Sequence, residues 1–148
     1  MVRIPRFGND YEIPLLEGVR DQELAAGFGH ISRTAQLGDR GNFAIAGHRV
    51  THGEPLRDMP LLRPGNKVVV ETGRAIYTYQ LDTNPNNLVV TFKGVWVIAP
   101  RPSNPDEGGV NPTRSSKRLL TLVTCSELFS TDNRMVAFGH LTKVEAKS

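Results

Sequence analysis

Lys67-Val68-Val69-Val70-Glu71-Thr72-Gly73-Arg74-Ala75-Ile76-Tyr77-Thr78-Tyr79-Gln80-Leu81 is the stretch on which the fold turns. Two runs rich in β-branched and aromatic residues, 67–71 and 76–81, flank the pair Thr72-Gly73. Val, Ile, Thr and Tyr fit a pleated, half-buried surface, and a glycine in a tight hairpin turn can take the positive φ such turns require. The stretch predicts one antiparallel unit turned by Thr72-Gly73. The same grammar repeats outward, with 14 Gly and 10 Pro spread as punctuation between short β-branched runs. Candidate strands are 2–6, 11–16, 42–48, 67–71, 76–81, 88–92, 95–98, 119–124 and 135–141. Eight or nine such strands predict a mainly β chain that closes into a barrel. Helical signal is confined to 21–26, where Asp21 is a candidate cap, and to 54–62, with Pro55 near its first position. Residues 100–117 lack periodicity and read as a long exposed loop.

Composition sets the outer limits. A length of 148 residues suits one domain with a real core, and 39% hydrophobic against 22% charged residues excludes both extreme disorder and a membrane-embedded chain. The formal charge of +3 comes from 18 basic and 15 acidic residues, mostly scattered, and aromatics are only 7%. A nucleic-acid binder wants a basic stripe interleaved with stacking aromatics, so no nucleic-acid partner is expected. The one cysteine, Cys125, excludes an intrachain disulfide framework and a Cys-rich zinc site. No apolar run approaches the roughly 20 residues of a membrane span, and Met1-Val2-Arg3-Ile4-Pro5 is not a signal peptide.

Chemistry gathers at three positions. Cys125 follows the run 119–124, whose alternation ends where Ser126-Glu127 turn polar, so the thiol stands at a strand end facing a loop. A lone cysteine is either a buried small hydrophobe or a nucleophile, and the latter needs a cation or imidazole nearby to hold its thiolate. Among the four histidines, His48 ends the predicted strand 42–48, and Gly47 beside it leaves space for a substrate backbone. His30 and His52 fall in loop-like segments, and His140 lies inside the last strand in a structural or solvent-facing position. Arg134 stands at the start of that strand, with 126–133 as the loop that returns it beside Cys125. A guanidinium there either holds a substrate carbonyl or oxyanion or is an ordinary surface arginine. Glu54, Asp58, Asp106 and Glu107 lack cation-loop spacing, and neither a metal nor another cofactor is expected.

Phe43-Ala44-Ile45-Ala46-Gly47-His48-Arg49, then Thr121-Leu122-Val123-Thr124-Cys125, then Arg134 before a final strand, together resemble the sortase family, whose cysteine signature is Thr-Leu-x-Thr-Cys. The resemblance extends over nearly the whole chain. It takes in Ile4-Pro5, Gly29-His30 before Gly41-Asn42, and Leu62-Arg63-Pro64-Gly65-Asn66 leading into Val68-Val69-Val70. The Gly-His-Arg triplet and Thr51-His52-Gly53-Glu54-Pro55 look most like class E, the actinobacterial housekeeping type.

The resemblance implies a closed eight-stranded β-barrel with short connecting helices, residues 1–148 forming a single catalytic domain. It implies a cysteine transpeptidase that cleaves a C-terminal sorting signal, LAxTG- or LPxTG-like, between Thr and Gly through a thioacyl intermediate. The surface protein then passes to a peptidoglycan amine on the extracytoplasmic face of the membrane, with any membrane anchor outside this chain. In that scheme Cys125 is the nucleophile, His48 the general acid/base and Arg134 the oxyanion and positioning group. Thr124, Ser126, His52 and Gly47 are the candidate substrate contacts, His52 standing where class E commonly carries tyrosine. Loops 100–117 and 126–133 are expected to flank the groove. Two rival readings remain: a purely hydrolytic cysteine peptidase, and a non-catalytic β-barrel binding module.

Overall fold

The computed structural model describes residues 1–49, 55–91, 94–124 and 133–147. Its strands are β1 (Val2–Arg3), β2 (Leu15–Glu17), β3 (Phe28–His30), β4 (Gly41–Gly47), β5 (Lys67–Glu71), β6 (Ala75–Leu81), β7 (Val89–Val90), β8 (Arg118–Thr124) and β9 (Arg134–Ala146). One short helix, α1 (Asp21–Ala26), and 3-10 turns at Pro5–Phe7, Met59–Leu61, Pro85–Asn87 and Val95–Ile98 connect them. The strands run in the order β1-β5-β6-β9-β8-β4-β3-β2, with β7 paired to β9 beside that path. Val2 bridges antiparallel to Ile13, its amide 2.6 Å from the Ile13 carbonyl, and this contact joins the two ends of the order. The result is a nearly closed eight-stranded barrel.

Residues 42–47 of β4 are all buried, without the inside-outside alternation of a surface strand. The reason is that both faces of the sheet are covered here. Phe43 and Ile45 point into the barrel with Val68, Tyr79, Leu120, Leu122 and Ala137. Ala46 packs on the outer face with Leu24 of α1, Val97, Val123, Val136 and Phe138. The Tyr79 hydroxyl accepts from the Gly38 amide at 2.8 Å, and burial pushes its phenol up to about 12.

The Val95–Ile98 turn is held to the sheet by a buried polar clamp. Asn42 Nδ2 donates to the carbonyls of Val97 at 2.9 Å and Ala99 at 3.0 Å, while the Thr121 hydroxyl lies 2.8 Å from Asn42 Oδ1. Asn42→Ala would remove donors from buried carbonyls, which costs about 2–3 kcal/mol. Thermal unfolding should report a clear loss of stability; a Tm equal to that of the wild type would show that the clamp contributes nothing.

Several expected boundaries shift for local reasons. Strand 2–6 stops at Arg3 because Pro5, which has no amide hydrogen, opens a 3-10 turn. The segment 95–98 is a 3-10 turn rather than a strand, because β9 and β4 already occupy both edges of β8. In 54–62 the regular part is a 3-10 turn over Met59–Leu61 rather than a helix. Strand 11–16 reduces to the Ile13 bridge followed by β2, and 88–92 to Val89–Val90. The last strand continues to Ala146 because β6 supplies partners as far as Ala75. Helix 21–26 forms as read, with Arg20 rather than Asp21 at the cap position.

The hairpin β5–β6 forms, but Gly73 is not among the glycines with positive φ. Its turn is shaped by Thr72 instead. The Thr72 hydroxyl accepts from the amides of Arg74 at 3.2 Å and Ala75 at 3.1 Å, as Ser/Thr turns do. β3, read from sequence as a loop, is a buried strand whose Gly29 lies against the chain at Gly18: a Cβ there would stand 2.2 Å from the Gly18 carbonyl oxygen.

Candidate active site

β4 and β8 run parallel with Gly47 opposite Thr124, and β9 runs antiparallel to β8 with Val136 opposite Val123. The C-terminal ends of β4 and β8 and the start of β9 therefore share one rim. His48 continues from β4 at that rim, half-buried. Its carbonyl accepts from the Leu56 amide at 2.9 Å, and the Tyr11 hydroxyl donates to the carbonyl of Pro55. These two bonds tie the chain that follows His48 back onto the barrel. Burial, and secondarily the charge of Asp58, holds the Tyr11 phenol well above its ordinary range, so it stays a donor.

Thr124 is buried, and its hydroxyl accepts from the Met135 amide at 3.0 Å, clamping the end of β8 to the start of β9. Arg134 is half-buried beside it, and its Nε is a fully buried donor with no hydrogen-bond partner among the described residues. A desolvated N–H left without an acceptor costs free energy that a bound carbonyl or oxyanion would recover.

Two cavities meet at Arg134. One, of about 370 Å³, is lined by Val19, Asp21, Leu24, Ala46, His48 and Thr124. The other, of about 320 Å³, is lined chiefly by Arg33, Val90, Thr91, Val95, Val97 and Ile98. Ile31, Val123 and Arg134 belong to both, so the cavities form two arms of one groove on the outer face of the sheet.

The structure thus brings His48, Thr124 and Arg134 to one groove. Cys125, Ser126 and His52 lie outside the described residues, as does most of the loop 126–133. Gly47 does not line either arm among the described residues. Its Cβ position faces the Phe28 ring at 2.9 Å and Pro55 at 3.3 Å, so glycine there answers close packing. His30, expected in a loop, is buried in β3. Its Nδ1 lies 2.8 Å from Glu17 and its Nε2 2.9 Å from the Ala35 carbonyl, and the ring stacks on Phe43. His140 pairs with Asp82 at 2.7 Å. Both are built into the framework away from the groove.

Loop 100–117 also departs from expectation. It has no strand or helix, but it delivers the chain to the start of β8, where the Lys117 carbonyl accepts from Gly41. That is the end of β8 opposite Thr124, roughly 20 Å away along seven residues of strand. Sequence proximity to the cysteine strand suggested the loop; strand direction takes its C-terminal end away from Thr124, while its N-terminal end leaves the Val95–Ile98 turn that lines the groove. The exposed tip 105–108 should accordingly be replaceable by a shorter link with the peptide Michaelis constant unchanged within about twofold. A Michaelis constant raised several-fold would put the tip back on the substrate. Sequence reasoning missed Asp21, Ile31 and Arg33, which come from the helix and loop on the far side of β4, and their only signal was a position near Gly29-His30.

Residues 2–142 match the sortase domain family. The chain is similar to the sortase SrtE1 of Streptomyces coelicolor, 32% identical over 160 residues that cover all of this chain and 41% of that protein. The chain therefore spans less than half the length of that curated relative. Among solved structures, sortase E from Streptomyces avermitilis superposes with a TM-score of 0.82 at 37% identity, covering 98% of this chain and 88% of that one. Sortase E1 from Streptomyces coelicolor with a tripeptide in its active site gives 0.79 at 28%, with the same 98% and 88% coverage. The chain belongs to the sortase family. Within it, these relatives place its likeness with the E-type sortases.

Proposed function

We propose that this chain is a cysteine transpeptidase that cleaves a C-terminal sorting signal between Thr and Gly and passes the acyl part to an amine. One observation carries the reading. His48, Thr124 and Arg134 line one cavity, the Arg134 Nε is buried without a partner among the described residues, and Cys125 follows Thr124 directly in the sequence. A thiolate attacks the Thr carbonyl carbon, the C–N bond to Gly breaks, and His48 gives its proton to the departing amine. An amine then attacks the thioester, His48 takes a proton from it, and the thiolate leaves. Arg134 offers its unsatisfied Nε–H, with the rest of its guanidinium, to the oxygen that gains charge in both steps.

Thr124, Ser126 and His52 are proposed substrate contacts, and the acceptor is a peptidoglycan amine. Action at the extracytoplasmic face is part of the same proposal. The proposed attachment is an anchor outside this chain; among the described residues no helix is long and apolar enough to cross a membrane. Histidine at position 52 still offers donor and acceptor nitrogens, so the alanine signal LAxTG is expected to be cleaved at least as fast as LPxTG.

The test is product analysis of sorting peptides with and without added amine. Amide product in its presence supports the transpeptidase, hydrolysis alone supports a peptidase, and no cleavage with an inert thiol supports a binding module.

A further inference from the structure

The two arms of the groove differ in which groups they hold. His48 lines one arm only, together with Asp21, while the other arm is walled by Val90, Val95, Val97 and Ile98 and carries Arg33. The proton donor to the departing amine and the acceptor from the arriving amine are the same imidazole in the proposed reaction, so both amines must occupy its arm. The apolar arm is left for the acyl side.

We infer that Asp21 is the specificity residue for the acceptor: its carboxylate draws a cationic amine into the His48 arm. This rests on the transpeptidase reading. Asp21 is exposed at the first position of α1, and its carboxylate has no hydrogen-bond or ion-pair partner among the described residues. The neighbouring Arg20, which could have neutralised it, is engaged by Glu23, with Nε and Nη2 at 3.0 and 3.2 Å from the two carboxylate oxygens. Among the described residues, the facing charges in the cavity are Arg134 and the titratable His48, both committed to the reacting atoms in this scheme. A primary amine reaches the site as an ammonium ion at neutral pH. A carboxylate at the mouth raises the local concentration of that cation, which loses one proton to solvent before attack and the second to His48 as the amide forms. Asp21 is a positioning residue and takes no proton itself.

The experiment loads the enzyme with a sorting peptide and measures how the thioester divides between amide and hydrolysed product. Two nucleophiles are compared: ethylenediamine, cationic at neutral pH, and hydroxylamine, neutral there. Asp21→Asn should lower the amide-to-acid ratio for ethylenediamine about fivefold, and Asp21→Lys about tenfold or more, with the hydroxylamine ratio unchanged within about twofold. Asp21→Glu should restore the ratio, and raised salt should erase the wild-type preference. Because each ratio is internal to one variant, slower acylation does not disturb it. Equal ethylenediamine ratios in the wild type and Asp21→Asn overturn this inference alone. Failure of the wild-type enzyme to form a thioester overturns the proposed function and this inference with it.

Discussion

Cys125→Ala is expected to abolish acyl-enzyme formation, with turnover of a sorting peptide falling by about 10⁴-fold or more. The size follows from chemistry: without sulfur there is no group at that position able to form a thioester. Mass spectrometry of enzyme mixed with peptide should show the acyl adduct on the wild type and none on the alanine variant. An adduct on the alanine variant would place the nucleophile elsewhere. His48→Ala should slow both acylation and thiol alkylation at neutral pH if, as proposed, the imidazole keeps the thiol reactive. Rapid labelling that is indifferent to His48 would separate the two residues and return Cys125 to an ordinary thiol.

Arg134→Lys is expected to cost about 10²–10³ in kcat although the positive charge is retained. Lysine carries a point charge on a flexible stem, whereas the guanidinium presents a rigid fork whose Nε is already stripped of solvent and unsatisfied among the described residues. That buried N–H is also why the loss should fall on kcat more than on stability. The atom makes no described internal bond that the substitution would break, so Tm should move by a few degrees at most. Near-full activity in the lysine variant would make Arg134 a surface residue with no part in the reaction.

Much of the barrel could be read in the sequence where local signals and tertiary pairing agree. β5 was legible to the residue because its β-branched run is bounded by turn residues on both sides. β4 and β8 were legible because burial on both faces writes them as apolar runs. Val95–Ile98 was misread for the same physical reason: Val-Trp-Val-Ile satisfies the strand pattern, but whether a partner edge is free is a property of the whole sheet. β3 was missed because Gly29 and His30 look like loop residues. Glycine there answers the close approach of the Gly18 carbonyl, and histidine the carboxylate of Glu17, neither of which is visible locally. In the groove, His48 and Arg134 were legible as polar residues at strand ends. Asp21 and Arg33 were not, since only the folded sheet brings the segments flanking β3 across to β4 and β8.

The parallel pairing of β4 with β8 also sets when the site can exist. Gly47 and Thr124 meet at a sequence separation of 77, and neighbouring parallel strands cannot be joined by a tight turn. Contacts of such long range form late, because the entropy of closing the intervening loop must be met before any of them is rewarded. The side of β8 away from β4 is completed by β9, which leaves the ribosome after β8. Under the proposed mechanism, an unfinished or partly folded chain has the cysteine before His48 and Arg134 are in place, and its thiol should react at the pace of a free cysteine. Refolding followed by rapid thiol alkylation should show reactivity appearing in the slowest phase, together with native structure. If Cys125 is the nucleophile, as proposed, the order of assembly keeps it from becoming reactive before there is a groove to direct it.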